Sequence, residues 1–319
     1  MNRISSLGRW LGSAWLVAAA VVPATGLAAG AAPAAAQLEV VTSTSDLYDI
    51  ARAVGGDRIE AAHISEGYQD PHFVEAKPSF ILQLRDADVW AFVGLDLEVG
   101  WAPLLVQGSR NSKIQPGGSG YFDASSVIPV LDVPTGPVDR SMGDVHTRGN
   151  PHYWLDPGNG RLIARAFRDR FSQLDPAGAQ VYQRNAAAFE ARLDQAEAAW
   201  QAALEKIRGQ PVVAWHTSWR YLAQYTGMNI VAFMEPKPGV PPSPSHLAEV
   251  VATVNRTGAK IILMEPFYDR KTADFVARET GARVLILPPS VGGSPQVPDY
   301  LALMGHDLAQ VAALADGGR

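Results

Sequence analysis

Between Gly178 and Gly209 the sequence AQVYQRNAAAFEARLDQAEAAWQAALEKIR contains no glycine and no proline. Its Ala, Gln, Glu, Leu and Arg content favours helix at nearly every step, so the window from Pro176 to Arg208 predicts one long helix. At about 1.5 Å per residue it would span on the order of 45 Å. Val181, Tyr182, Phe189, Leu193, Trp200 and Leu204 recur near helical spacing, which predicts one buried stripe. Such a helix is a rigid connector, so the chain on either side of it is expected to form two halves.

Both halves carry the same texture, short β-branched runs alternating with amphipathic segments, which predicts βα units and mostly parallel sheets. Before the long helix come LEVVTST, the helical SDLYDIARAVGG with Ser45 or Asp46 as cap, IEAAHIS, the helical PSFILQLRDA, and DVWAFVG. After it come PVVAW, NIVAFM, KIILM and RVLIL as strands, separated by the helical segments TSWRYLAQYTG, SPSHLAEVVATVNRTG and DRKTADFVARETG. The helix PDYLALMGHDLAQVAALA closes the chain's pattern. Gln107–Gly149 is rich in Gly, Ser, Pro and Asp and reads as loops with one or two short strands. The fold class expected is α/β, two Rossmann-like lobes at 37–175 and 209–319 joined by the rigid helix 176–208. In open parallel sheets, ligand groups gather in the loops after the carboxyl ends of the strands.

The first residues carry Arg3 and Arg9, then an apolar run from Trp10 to about Ala29, then AAPAAAQ. This order is that of a cleavable secretory signal peptide over residues 1–36, with a mature start near Gln37. Periplasmic location is therefore expected. The sequence has no cysteine, which excludes disulfides, thiolate ligands, a thiol nucleophile and a lipid-bearing cysteine together. A net charge of −5 offers no broad basic surface for nucleic acid. GxSxG, GxGxxG and a P-loop are all missing, and PGGSGY at 116–121 lacks the lysine and helix of a phosphate loop.

Seven histidines remain to be placed. His72 follows the strand IEAAHIS, His152 lies in the loop ending the first half, and His216 directly follows PVVAW. All three sit where an α/β lobe presents side chains to a cleft. His63 within a strand, His246 in a capped first turn and His306 on the last helix are expected to be structural. His72 and His152 share a Pro-His-aromatic frame, in DPHF and NPHYW, whose proline restricts the backbone and lowers the cost of ordering the ring. On the residues alone two readings stand, three separate hydrogen-bonded loop histidines or one metal site built of three neutral imidazoles. Asp70, Glu75 and Asp156 are the carboxylates expected to orient the rings.

The segments DPHFVEAKPS (70–79), NPHYWLDP (150–157), WHTSWRYLAQYTG (215–227), EPKPGVPPSPSHLAEVV (235–251) and IILMEPFYDRKTADFVARETGARVLIL (261–287) stand in a telling order. In order and spacing they resemble the zinc/manganese-binding receptors of bacterial ABC importers. The resemblance covers nearly all of the chain after Gln37. It implies two lobes bridged by one helix, a metal cleft between them, and His72, His152 and His216 as ligands. It also implies a membrane permease and its cytoplasmic ATPase as partners, with a metallochaperone as a further candidate and a monomeric receptor.

Two departures bear on the ion. Members of that family commonly carry an acid after the last strand, where this chain reads PPSVGGSP (288–295). The His- and Asp-rich loop of zinc-binding members is reduced here to SMGDVHTRG, with Asp144 and His146. Three imidazoles without that acid suit four-coordinate zinc better than manganese, which favours oxygen-rich octahedral shells. The fourth position is expected to hold water or Glu265, which follows the strand KIILM. A secreted zinc hydrolase is the alternative, since three histidines, an open position and a nearby glutamate are also a catalytic set; HExxH is missing, and a non-enzymatic receptor is the favoured reading.

Overall fold

The structure is a computed structural model and describes residues 37–136 and 146–316. The expected signal peptide, 1–36, and Asp144 lie outside the described residues. The first lobe contains β1 (Leu38–Thr44), α1 (Ser45–Gly55), β2 (Ile59–Ser65), α2 (Pro78–Asp86), β3 (Val89–Phe92), α3 (Ala102–Ser109), β4 (Tyr121–Asp123) and α4 (Pro157–Leu174). The long helix α5 (Ala179–Ile207) follows a single 3-10 turn at Pro176–Gly178. The second lobe contains β5 (Pro211–Ala214), α6 (Arg220–Thr226), β6 (Asn229–Phe233), α7 (Pro244–Thr257), β7 (Ile261–Met264), α8 (Arg270–Thr280), β8 (Arg283–Ile286) and α9 (Tyr300–Asp316).

Local chemistry sets these boundaries. The Ser243 hydroxyl accepts from the His246 N–H and starts α7, and Gly258 at φ 72° ends it in a left-handed turn that a β-carbon would disfavour. Asp269 caps α8 in the same manner. For α1 the cap is Thr44, whose hydroxyl accepts from the Leu47 N–H, rather than the expected Ser45 or Asp46. Those two residues are freed for contacts with the other lobe. Two helices, α3 and α4, were not anticipated from the sequence.

Each lobe is one four-stranded parallel sheet, ordered β2-β1-β3-β4 in the first and β6-β5-β7-β8 in the second. The order reverses direction at β1 and at β5, so the carboxyl ends of β1 with β3, and of β5 with β7, flank the switch points where such sheets bind ligands. His216 follows β5 and Glu265 follows β7, one on each side of the second lobe's switch point. A structure of two four-stranded sheets and one long helix matches the expected class.

The connector buries one stripe against the lobes and leaves its opposite face exposed. Tyr182, Phe189, Leu193 and Leu204 of the predicted stripe are buried, with Val181 and Trp200 at its margin. The helix packs against α1, α4 and α9, and one continuous apolar cluster runs from Val40 and Val89 of the first sheet to Val212 and Ile261 of the second. Polar ties add to it. The Val291 N–H donates to Asp46 Oδ1 at 2.9 Å, Ser45 Oγ donates to the Val291 carbonyl at 2.7 Å, and Trp154 Nε1 donates to the Pro289 carbonyl at 2.8 Å. The acid-free loop 288–293 thus serves as a clasp on the first lobe. Gly67 permits the closest approach, since a β-carbon there would overlap the Val291 carbonyl oxygen. Among the described residues no helix is long and apolar enough to cross a membrane.

Candidate metal centre

The two matched histidine frames fold alike. In the first, Asp70 Oδ1 accepts from the His72 backbone N–H at 3.0 Å and lies 2.6 Å from the His72 ring Nδ1. In the second, Asn150 Oδ1 accepts from the His152 backbone N–H at 3.0 Å and lies 2.9 Å from its Nδ1. The intervening proline holds the turn open, and the side chain two residues earlier fixes both backbone and ring. His216 is oriented from further away, its Nδ1 lying 2.7 Å from Glu235 Oε2, which also accepts from the Gly239 N–H at 3.1 Å. Glu235 is placed by the chain leaving β6, where its own N–H bonds to the Trp215 carbonyl.

With each Nδ1 hydrogen committed to an acceptor, the Nε2 of each ring carries the lone pair. The three rings form a nearly equilateral triangle, with centroid separations of 5.2 Å (His72–His152), 5.2 Å (His152–His216) and 5.5 Å (His72–His216). One ligand nitrogen from each lies within 4.8 Å of the others. Imidazoles on one tetrahedral zinc stand about 3.3 Å apart, given Zn–N of about 2.0–2.1 Å, so a small contraction completes coordination. His152 and His216 are buried, and His72 is half-buried at the cleft.

Electrostatics keep this cluster ready for a cation. Burial, with repulsion from His216, His72 and His146, holds the His152 pKa well below its ordinary value, so the ring is neutral. Burial works to raise the Asp70 pKa, but hydrogen bonding and attraction from His72 outweigh it and the carboxyl ends lower than usual. Glu265 is fully buried, and that burial pushes its carboxyl up to about 8 against a smaller lowering by Ser218. Neither of its oxygens makes a hydrogen bond of good geometry, and it does not belong to the cluster of ligand atoms formed by the three histidines.

Other expectations are met or corrected residue by residue. His63 bonds the Ser65 carbonyl, His246 bonds the Phe233 carbonyl and His306 contacts Asp307, all away from the cluster. Of the three carboxylates expected to orient the rings, only Asp70 does so. Asp156 caps α4 by accepting from the Gly158 N–H, and Glu75 is exposed. Asn150 and Glu235 hold the other two rings and were missed. The N-P-H frame, set beside D-P-H, carried the signal for Asn150; no local pattern marks Glu235, nineteen residues from its histidine. His146, half-buried, brings its Nε2 to 3.2 Å from His72 Nε2.

Asn150 also ties the two sides together near the site. Its side-chain amide nitrogen donates to the Thr217 carbonyl at 2.9 Å, beside His216, and its backbone carbonyl accepts from the Tyr221 hydroxyl at 2.9 Å. Arg220 pairs with Asp132 at 2.9 Å across the same seam. A cavity of about 840 Å³ opens next to His72 and His146, lined also by Phe73, Asp96 and Trp101. Pro241 and Pro242 border a smaller cavity of about 350 Å³ beside Asp70 and Glu235.

Known proteins share this fold and sequence pattern. The family model described as zinc-uptake complex component A, periplasmic, matches residues 40–314. A zinc-binding lipoprotein, AdcA, of Streptococcus pneumoniae is 24% identical over 256 residues, 79% of this chain and 50% of the relative. The chain thus spans about half the length of that relative. The manganese ABC transporter substrate-binding lipoprotein PsaA of Streptococcus pneumoniae is 24% identical over 86% of this chain and 88% of the relative. A crystal structure of ZnuA superposes with a TM-score of 0.71 at 21% identity, covering 88% of this chain and 99% of that one, a likeness of fold. With its two parallel-sheet lobes, its long connecting helix and a family match over almost the entire described chain, this protein belongs to the ZnuA family of periplasmic zinc-uptake components.

Proposed function

We propose that this protein is an extracytoplasmic receptor that captures one divalent metal ion, zinc in preference to manganese, and delivers it to an ABC permease driven by a cytoplasmic ATPase. The observation that carries the reading is the convergence of His72, His152 and His216, each with its Nδ1 already engaged and its Nε2 left for a metal. Acceptors on the outer nitrogen fix the tautomer and raise the basicity of the ligating one. Neutral nitrogen donors favour zinc over manganese. The family assignment and the metal-receptor relatives on both sides of the zinc/manganese divide support the same role.

The receptor works as a monomer, taking zinc free or from a metallochaperone, and performs no turnover. A hydrolase needs a carboxylate beside the metal-bound water. Glu265, the candidate for that role and for the fourth ligand, stands outside the ligand-atom cluster, which favours the receptor reading. Zinc titration of the purified protein and of His72→Ala, His152→Ala and His216→Ala tests it. One ion per chain is expected, with each substitution weakening binding at least about 100-fold, since a three-imidazole shell loses a direct ligand. Unchanged affinity in all three variants, or zinc-dependent cleavage of ester, peptide or phosphate substrates, would overturn it.

A further inference from the structure

We propose that His146 is a fourth imidazole ligand, so that the ion is held by four ring nitrogens with no carboxylate in the shell. The inference rests on the receptor reading above and sharpens its choice of metal.

The first observation is the distance. His146 Nε2 lies 3.2 Å from His72 Nε2, and the two rings stack at a centroid separation of 5.2 Å and 29° between planes. Two nitrogens bound to one tetrahedral zinc stand about 3.3 Å apart. The His72 ring hydrogen is committed to Asp70, so the nitrogen facing His146 bears a lone pair. The His146 ring also donates a hydrogen bond to the Leu95 backbone carbonyl, on the side of the first lobe. A cation between the two Nε2 atoms satisfies both lone pairs at the separation already present. His146 stands outside the set of ligand atoms formed by the other three, but its ring centroid is 6.3 Å from that of His152, so joining their shell takes a turn of its side chain toward His152 and His216.

The second observation is the scaffold behind the ring. Gly94, Leu95 and Asp96 lie consecutively in the left-handed region, at φ 79°, 53° and 68°. For Leu95 and Asp96 this conformation is strained and persists only where the surroundings impose it. The buried Glu98 braces the start of this turn, accepting from the Val93 N–H at 2.7 Å and the Gly94 N–H at 3.1 Å. The turn then presents Asp96, whose Oδ2 accepts from the Thr147 N–H at 3.2 Å and hydroxyl at 2.6 Å. A strained turn in the first lobe is therefore spent on holding the residue next to His146. On the other side, the Asn150 N–H donates to the Leu131 carbonyl at 2.8 Å, and Gly149 turns back to the His146 carbonyl at 3.3 Å. His146 is pinned from both flanks with its ring toward His72.

The chemical consequence is selectivity. Four neutral nitrogens match tetrahedral zinc and leave manganese without the anionic oxygens it favours. This arrangement also accounts for a chain that has no acid in the loop 288–293 and keeps Glu265 out of the cluster of ligand atoms.

X-ray absorption at the zinc edge counts imidazoles by their multiple scattering, and competition with a chromophoric chelator gives affinity. Both are to be run on the wild type, His146→Ala, His146→Gln, Glu265→Gln and His152→Ala. Expected are four imidazoles in the wild type and three in both His146 variants, with zinc affinity about 10–100-fold weaker and the zinc-over-manganese ratio reduced. Glu265→Gln is expected to retain four. Three imidazoles in both wild type and His146→Ala, with equal affinity, would overturn the proposal. In that outcome a loss of binding in His152→Ala leaves the three-imidazole receptor reading standing, whereas full binding by His152→Ala sinks that reading as well.

Discussion

The side-chain oxygen of Asn150 holds His152 twice, accepting from its backbone N–H at 3.0 Å and lying 2.9 Å from its ring Nδ1. The amide nitrogen of the same side chain reaches the Thr217 carbonyl, one residue from His216, at 2.9 Å. One carboxamide therefore sets the direction of a ligand on one side of the cleft and the distance to a ligand on the other. Asn150→Ala should weaken zinc binding about 10–100-fold, the usual effect of removing a partner that orients a metal ligand. Asn150→Asp keeps the acceptor for His152 but faces a carbonyl and Asp132 with negative charge, so it should retain more zinc affinity than alanine while melting lower. Zinc competition and thermal denaturation of both variants check this ordering.

Glu235 plays the corresponding part for His216, with a charge. A carboxylate bonded to the outer nitrogen makes the inner one a better donor. Glu235→Gln retains an acceptor and removes the charge, so a loss of about tenfold in zinc affinity is expected, and Glu235→Ala should lose up to about 100-fold. Equal affinity in glutamine and wild type would show that geometry alone matters at this ring.

The clasp between the loop after β2 and residues 288–293 depends on the missing side chain of Gly67. Gly67→Ala forces the two backbones apart and strains the bonds that Ser45 and Asp46 make to Val291. Overpacking at a contact of this kind costs roughly 1–3 kcal/mol. Urea unfolding should reveal a loss of that size, accompanied by weaker zinc binding because His72 and the second lobe are spaced by the same contact.

Asp46 supplies a pH test remote from the metal ligands. Its burial raises the carboxyl pKa to about 7, only partly opposed by the hydrogen bond from Val291. A folded pKa above the unfolded one means the folded state binds the extra proton. Its stabilising contribution is full below about pH 4 and is lost as pH rises through 7. Asp46→Asn cannot titrate, so its stability relative to wild type should improve between pH 5 and 8.5 by on the order of 1–3 kcal/mol. Urea unfolding at the two pH values measures the difference; a constant offset would mean that Asp46 is charged throughout.

Much of this architecture is legible in the chain because two periodicities carry it. The strands flanking Val212 and Ile261, the buried stripe of α5 and the Ser243 cap of α7 follow from local pattern and local hydrogen bonding. The helix α4 does not, because it opens on PGNG, a turn-like composition, and becomes helical through the Asp156 cap and the burial of Ile163, Phe167 and Phe171. Histidine position relative to strand ends pointed to His72, His152 and His216. The groups that aim them are harder to read: Asp70 sits in an obvious frame, Asn150 hides in a neutral version of it, and Glu235 is brought to His216 by the pairing of β5 with β6. His146 is legible in the sequence only as part of a reduced loop, since nothing local marks the approach of its ring to His72 that the fold creates.

The most direct test of the account is a crystal structure of the zinc-loaded protein with anomalous scattering recorded at the zinc edge. One strong peak is expected about 2.0–2.1 Å from the Nε2 atoms of His72, His152 and His216. A peak bound elsewhere, or zinc held with any of these three rings turned away, would contradict it.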